Sequence, residues 1–216
     1  MSVELPPIAR WRTSAVGVLL ALGFFSLPIG SWVHEDAGLA NRLAFELIVW
    51  AWVAGTLLYV ARVERRPLSS IGFRAPGIRD WIVAILAGVL ILGLLALILL
   101  VVFPVLHWSE SSQQTSLLAL PYWLNVLIVV RAAVAEEILF RGYPMERLEQ
   151  MSGSRALAGA VTCTVFTLDH ISFWGWHHIF IAGTAGAALT VLYLWRRNIW
   201  VNMIAHFMVD AAAFLA

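Results

Sequence analysis

The sequence predicts an all-α fold, a polytopic bundle of transmembrane helices. Three observations predict it. The 216 residues are 61% hydrophobic and only 12% charged, their mean hydropathy is +0.85, and several apolar runs reach the roughly 20 residues that a helix needs to cross a bilayer. Such a composition excludes an ordinary soluble globule and a disordered chain. We therefore expect residues 1–216 to form one integral-membrane domain in contact with the lipid bilayer.

Net charge and cysteine content exclude further classes of protein. The formal net charge is +1, so no nucleic-acid partner is expected. The single cysteine, Cys163, excludes an intramolecular disulfide and a multi-cysteine metal site.

Seven apolar runs are the candidate spans. In chain order they cover approximately Thr13–Val33, Ala44–Val63, Trp81–Leu106, Leu117–Arg141, Arg155–His170, His178–Trp195 and Ile199–Leu215. The first follows Arg10 and Arg12 as a signal peptide would, but no small-x-small cleavage site follows it, so we expect a retained helix. The fourth carries charges and extends toward Glu149. The fifth and sixth are rich in small residues, which permit close helix approach in lipid.

The arginines predict the orientation of the chain. They fall at the N-terminus and in the second, fourth and sixth linkers, whereas the other three linkers hold only Arg42. We therefore expect the N-terminus and the even-numbered linkers on the cytoplasmic side of a bacterial or archaeal cytoplasmic membrane. The second linker mixes arginines with Ile71 and Phe73, which is typical of a segment that lies on the inner membrane surface.

Ionisable side chains inside the apolar runs are the candidate functional residues. A charge at the centre of a bilayer costs on the order of 2.5 to 3.5 kcal/mol by insertion scales, and such groups face a bundle interior or a wet cavity. We treat each of them as a candidate for a site within the bundle. They are Glu46, Arg131, Glu136, Glu137, Arg141, His170, His206 and Asp210.

Two adjacent carboxylates in the stretch AEEILFR are predicted to differ in role. Glu137 and Arg141 are four residues apart on one helix face, so they are expected to form an internal ion pair. Glu136 points about 100° away from Glu137 and has no such local partner. We therefore expect Glu136 to be the catalytic carboxylate, with Glu137 and Arg141 supporting the site.

Two later helices carry the remaining polar candidates. Phe166 and His170 are four residues apart on one helix. His206 and Asp210 have the same spacing on another, which allows Asp210 to accept a ring N–H and fix the imidazole tautomer. At a rise of about 1.5 Å per residue from the inner interface, Glu136, His170 and His206 lie at similar depths. We expect the three groups to meet near the middle of the membrane.

A glutamate and a histidine at one buried point suit the activation of a water molecule. Glu136 would take its proton, and His170 would orient the water or share the proton. His206 would bond the oxyanion that develops on a scissile carbonyl, assisted by Asp210. Glu136, His170 and His206 also suit a catalytic zinc ion with an open position, although the local H-E-x-x-H signature is absent. A glutamate-type mechanism and a metal-dependent one are therefore both alternatives.

Three motifs, in order on successive late helices, carry a family resemblance. They are E-E-x-x-x-R beginning at Glu136, F-x-x-x-H beginning at Phe166, and H-x-x-x-D beginning at His206. With these motifs the chain resembles the CAAX-protease and bacteriocin-processing (CPBP) family of intramembrane endopeptidases. The motifs define a core at about residues 117–216, and the first half of the chain matches the family only in hydropathy.

The resemblance implies a hydrolase that cleaves peptide bonds of a membrane-associated protein or peptide. Glu136 and His170 would activate the water, His206 and Asp210 would stabilise the oxyanion, and Phe166 would support the site. A prenylated protein and a leader peptide are the candidate substrates, and some members of the family are named metalloproteases. Members that process prenylated proteins commonly have Asn where this chain has Asp210, which argues against a prenylated substrate here.

Two other function classes compete with a protease. One is a small transporter whose charges at the membrane midplane bind a substrate or protons, but no inverted repeat and no Gly/Pro-broken helix pair supports it. The other is a family member that has become a non-proteolytic scaffold or immunity protein. The intact set of three motifs argues against this loss of catalysis.

Overall fold

The computed structural model of the protein describes residues 7–24, 38–109 and 111–215. Within these ranges every regular element is helical, which confirms the predicted all-α class. The α-helices are α1 (Pro7–Gly23), α2 (Leu39–Leu58), α3 (Ile78–Leu97), α4 (Ser112–Leu118), α5 (Tyr122–Glu136), α6 (Tyr143–Ser152), α7 (Arg155–Trp174), α8 (Ile179–Arg196) and α9 (Ile199–Phe214).

The prediction of about seven spans is not confirmed. Among the described residues, four helical segments are long and apolar enough to cross a membrane, and they overlap the second, third, fifth and sixth predicted spans. These segments are Leu39–Val63, Ile78–Val105, Arg155–Trp174 and Trp176–Arg196. The first and last predicted spans correspond to shorter apolar helices, Trp11–Gly23 and Ile199–Phe214. The part of the first predicted span from residue 25 onward lies outside the described residues.

The fourth predicted span, Leu117–Arg141, begins in the wrong place. Leu117 belongs to the short helix α4, and a new helix, α5, begins at Tyr122 directly after Pro121. Proline lacks a backbone N–H and disfavours helical geometry in the residue before it, and here the chain leaves the helix after Leu118 and begins a new one at Tyr122. From Tyr122 the chain then stays helical to Ser152, which agrees with the predicted extension toward the end of this segment.

Among the described residues, three helices continue into a π-turn, and besides the one at Tyr59–Val63 after α2, two lie inside a helical run shortly before a proline. Helix α3 continues as the π-turn Ile98–Val102 ahead of Pro104. Helix α5 continues as the π-turn Glu137–Gly142 ahead of Pro144. A proline inside a helix removes one backbone hydrogen bond and crowds the carbonyl four residues earlier, and a widened turn accommodates both effects. Turns of this kind are frequent at functional sites.

Helix α9 lies against α3 and α5, while α7 lies against α8. Small residues allow the second contact, as the sequence predicts. A Cβ added at Gly186 of α8 would come within 2.8 Å of the Phe166 ring of α7, and one at Gly159 would come within 3.2 Å of Thr190. Because there is no side chain at Gly186, the Phe166 ring lies directly against the backbone of α8.

The linker between α2 and α3 packs in part against the helices of the bundle. Ile71 is completely buried, and the ring of Phe73 meets Trp200 edge to face. Gly72 adopts a left-handed conformation with φ of +91°, and its carbonyl accepts a hydrogen bond of 2.9 Å from the N–H of Ile199. Ile71 therefore belongs to the core, while the position of the linker on the inner membrane surface stays a prediction.

A buried ion pair fixes the end of the bundle that carries α6. Arg147 donates to Glu64 at 2.8 Å, and both side chains are almost fully inaccessible to solvent. Ser14 and Tyr143 donate to the other oxygen of Glu64, at 3.2 and 3.0 Å. Arg147 and Glu64 therefore tie α6 to the end of α2 and, through Ser14, to α1.

Candidate active site

The end of α5, the second half of α7 and the middle of α9 bring three candidate residues together. The Oε2 atom of Glu136 lies 3.8 Å from Nε2 of His170 and 4.0 Å from Nε2 of His206. The residues come from three helices that are distant in sequence, as the comparison of their depths predicts. One carboxylate oxygen and two imidazole nitrogens therefore face one point.

The spacing of these three atoms suits a small molecule between them. Distances of 3.8 and 4.0 Å are too long for direct hydrogen bonds. Each gap is short enough for one water molecule bonded at about 2.8 Å to both of its ends. The arrangement can therefore hold a water between a carboxylate and two imidazoles.

The hydrogen bond of the other His170 nitrogen fixes the tautomer of this ring. Nδ1 of His170 lies 2.7 Å from the carbonyl oxygen of Phe166. A carbonyl only accepts, so Nδ1 must carry a proton and donate it. In the neutral ring the lone pair is then on Nε2, the atom that faces Glu136. His170 can therefore accept a proton or a hydrogen bond from a bound water.

The carboxylate of Glu137 is completely buried and accepts bonds from three side chains. Arg141 donates to Oε1 at 2.9 Å, so the predicted pair between these two residues is present. Nδ1 of His206 donates to the same oxygen at 2.8 Å, and the amide of Asn202 donates to Oε2 at 3.1 Å. Glu137 thus links the ion pair to the ring that the sequence placed in the active site.

Arg141 and Phe166 form the layer beneath the three facing atoms. The guanidinium carbon of Arg141 lies 4.0 Å from the centre of the Phe166 ring, a cation–π contact that helps a charge to exist away from water. The ring of Phe166 also meets His170 at a centroid distance of 4.3 Å. Phe166 therefore fills the space between the buried cation and the imidazole.

Asp210 lies near the ring of His206 but is not close enough to form a short hydrogen bond with its Nε2 atom. Oδ2 of Asp210 lies 3.5 Å from Nε2 of His206, whereas Nδ1 of the ring donates a short hydrogen bond to Glu137. The prediction that Asp210 fixes the tautomer of His206 assigns this task to the wrong carboxylate. The reason is that Glu137, one turn before Arg141 on a neighbouring helix, lies closer to the ring than a residue of the same helix.

Glu136 has a local charge partner, contrary to the prediction from helix geometry. Nη1 of Arg131 lies 3.5 Å from Oε1 of Glu136. Nε of Arg131 also donates to both oxygens of Glu46 on α2, at 3.2 and 3.3 Å. A spacing of five residues places two side chains about 140° apart on an α-helix, but the long arginine side chain spans this angle.

A cavity of about 440 Å³ opens in front of these groups. Apolar side chains of α2, α3 and α7 form much of its wall, among them Phe45, Leu95, Leu99 and Phe173. Its polar wall comprises Arg42, Glu46, Gln114, Arg131, Glu136, Asp169, His170, Ser172, His178, His206 and Asp210. Its volume lies within the range of ligand sites in proteins.

The metal alternative gains no support from this geometry. Within the part of the chain that the structure describes, no group of three or more His, Cys, Asp or Glu side chains is arranged to hold a metal ion. Glu136, His170 and His206 face one another, but they do not form such a group.

One group at the site, Asn202, was not predicted by the sequence. Arg131 and Glu46 were candidates without an assigned role, whereas Asn202 carried no signal because amides occur widely in helices. Asn202 is fully buried and donates to Glu137 and to the carbonyl of Leu189. Its place four residues before His206, on the same helix face, is the one feature that could have identified it.

Comparison with known proteins finds a match to the part of the chain that carries the three motifs. Residues 118–212 match the family model described as type II CAAX prenyl endopeptidase Rce1-like. This match confirms the family predicted from the three motifs, since it covers all of them. No curated protein and no solved structure matches the chain.

Proposed function

We propose, from the membership of residues 118–212 in the Rce1-like family of type II CAAX prenyl endopeptidases, that Glu136 and His170 activate a water for peptide-bond hydrolysis. The family supports a CAAX-type intramembrane protease in general. One observation supports the finer mechanism: an oxygen of Glu136 faces the Nε2 atoms of His170 and His206 at 3.8 and 4.0 Å, on the wall of a largely apolar cavity.

The attacking water donates one proton to Glu136 and one hydrogen bond to Nε2 of His170. As the proton moves to the carboxylate, the water oxygen forms a bond to the carbonyl carbon of the substrate. The π electrons of the carbonyl move to its oxygen, which becomes an oxyanion. Glu136 is the general base of this step and His170 positions the water.

His206 and Asp210 stabilise the oxyanion. Because Nδ1 of His206 donates to Glu137, Nε2 can donate only when the ring is an imidazolium. The carboxylate of Glu137 accepts from Nδ1 of the ring and favours that cation. Asp210, at 3.5 Å from Nε2 of His206, donates to the same oxyanion when its carboxyl group is neutral.

The proton taken by Glu136 then returns to the leaving nitrogen. The bond between the carbonyl carbon and that nitrogen breaks, the oxyanion electrons re-form the carbonyl, and the products are a carboxylic acid and an amine. The carboxylate of Glu136 is regenerated. One water is consumed for each peptide bond, and no other reactant is needed.

The cavity wall suggests an apolar substrate segment. Phe45, Leu95 and Leu99 offer a surface that a membrane-associated peptide, or a lipid chain attached to it, can contact. A prenylated protein C-terminus and a leader peptide therefore remain the two substrate classes of this proposal. Asp210, where prenyl-processing relatives commonly have Asn, favours the unprenylated class.

The test is cleavage by the purified full-length protein in liposomes. Wild type and Glu136→Gln are incubated with matched peptide libraries, one prenylated and one unprenylated, and the products are identified by mass spectrometry. New termini with wild type alone are expected. Cleavage that persists in Glu136→Gln would refute the mechanism, and solute or proton flux without any cleavage would favour the transporter.

A further inference from the structure

We infer that Arg131 is a positioning residue for Glu136, and that Glu46 of α2 holds Arg131 in place. This inference rests on the proposed role of Glu136 as the base. It extends the active site to α2, which lies outside the segment that matches the family model. The three motifs do not include either residue.

The two oxygens of Glu136 have different neighbours. Oε1 lies 3.5 Å from Nη1 of Arg131, whereas Oε2 faces Nε2 of His170 and Nε2 of His206. Arg131 therefore holds the first oxygen by its charge and leaves the second one directed at the site of the water. A carboxylate held by only one oxygen keeps its other lone pairs for proton transfer.

Glu46 fixes the arginine from the opposite side. Nε of Arg131 donates to both oxygens of Glu46, and the Phe45 ring lies 5.6 Å from the guanidinium carbon. Glu46 itself is buried, with an exposed fraction of 4%. Because the guanidinium is planar and rigid, bonding its Nε edge to Glu46 determines where its Nη1 points.

The charges around Glu136 explain why this carboxylate needs a cation that holds it in position. Carboxylates interact with it from α2 (Glu46), from α7 (Asp169) and from α9 (Asp210), and the cations or potential cations beside it are Arg131, His170 and His206. Arg141 is engaged by Glu137 in the layer below. Among the residues that the structure describes, Arg131 is thus the arginine that pairs with Glu136, and it pairs with Glu46 as well.

The proposal predicts a change in kcat rather than in KM. Arg131→Gln should lower kcat by about 100-fold, because a small displacement of a catalytic group can cost on the order of 10²-fold. KM should stay within about twofold, because Arg131 is expected to act on Glu136 and not on the substrate. Arg131→Lys should recover part of the loss by restoring a positive charge without the planar fork.

A charge-balanced double variant separates positioning from folding. Arg131→Gln alone leaves Glu46 buried without its partner, so it should also lower the melting temperature. The double variant Glu46→Gln/Arg131→Gln removes both charges and should regain the wild-type melting temperature, while its kcat stays low. Asp80→Asn/Arg196→Gln is the matched control, since it removes an ion pair outside the cavity and should leave kcat unchanged.

Two results would overturn the proposal. The first is a wild-type kcat in the double variant, which would show that Arg131 acts only through stability. The second is a loss in Arg131→Gln that appears in KM alone. If wild type itself cleaves no peptide, the proposed function fails. The melting temperatures of Arg131→Gln, Glu136→Gln and their double variant then test the contact between Arg131 and Glu136. Melting-temperature shifts that are not additive support this contact, and additive shifts refute it.

Discussion

Glu137 accepts a hydrogen bond of 2.8 Å from Nδ1 of His206, a residue 69 positions later in the chain. The same oxygen of Glu137 accepts from Arg141 at 2.9 Å. The carboxylate therefore belongs both to a buried ion pair and to the orientation of an imidazole that faces the cavity. A change at Glu137 must act on stability and on the site together, whereas a change at Glu136 acts at the cavity wall.

The first prediction concerns Glu136→Gln. Glutamine keeps the size of the side chain but cannot take a proton from water, so peptide cleavage should fall by about 10² to 10⁴-fold. The protein should remain folded and inserted in the membrane, because Glu136 lines the cavity rather than filling the core. Rate measurements with the purified variant, beside its melting curve, decide this. Cleavage at the wild-type rate would show that the base is another residue.

The second prediction concerns Glu137→Ala and Arg141→Ala. Both side chains are fully buried, and removing one half leaves an uncompensated charge, which costs roughly 3 to 5 kcal/mol. Both variants should therefore give lower yields and lower melting temperatures. Glu137→Ala should also lose activity in the molecules that remain folded, since His206 loses its partner on Nδ1. Normal stability combined with lost activity would place the pair in catalysis instead.

The convergence of the candidate residues was predictable, but their pairing was not. The order of the three motifs and the distance of each from an arginine place Glu136, His170 and His206 at one depth. Depth does not determine how far each helix is rotated about its axis, and this rotation brings Glu137 to Nδ1 of His206, in addition to Asp210 near Nε2. The π-turn that begins at Glu137 also changes the angular spacing of the residues after it.

Long side chains and proline account for the remaining differences. A prediction from helical angles assigns Glu136 no local partner, because it considers the direction in which each side chain leaves the helix but not how long the side chain is. Arg131 reaches across the angle and also meets Glu46 on another helix, a contact that one sequence cannot show. Hydropathy alone joins Leu117 to the following helix, although Pro121 ends any continuous helix there.

The third prediction concerns the contact of α7 and α8. Gly186→Ala would place a methyl group 2.8 Å from the Phe166 ring, which is wedged between Arg141 and His170. Overpacking of this kind costs about 1 to 3 kcal/mol, so the melting temperature and the activity should both fall. Gly55→Ala is the control, because no atom lies within 4 Å of its added Cβ. Equal melting temperatures for the two variants would contradict the close contact.

The last prediction concerns Asp210→Asn. Glu137 already orients His206 through Nδ1, and Asp210 lies 3.5 Å from the other nitrogen, on the cavity side. We therefore expect Asp210 to donate to the oxyanion as a neutral acid. Asparagine has a similar shape and supplies an N–H donor, so Asp210→Asn should keep most of the wild-type rate.

The dependence of the rate on pH separates this role from the alternative. A carboxyl group that donates must be protonated, so its contribution is present below its pKa and is lost as the pH rises through it. Asp210→Asn should remove that loss, because an amide donates at every pH.

If Asp210 instead orients His206 as a carboxylate, the wild-type rate falls as the pH decreases through the same pKa. Asparagine would then favour the wrong tautomer and lower the rate steeply, as in a triad whose Asp becomes Asn. The pH–rate profiles of wild type and Asp210→Asn, measured side by side, distinguish the two. A fall of about a thousandfold with the fold intact would refute donation and assign Asp210 to the orientation of the ring.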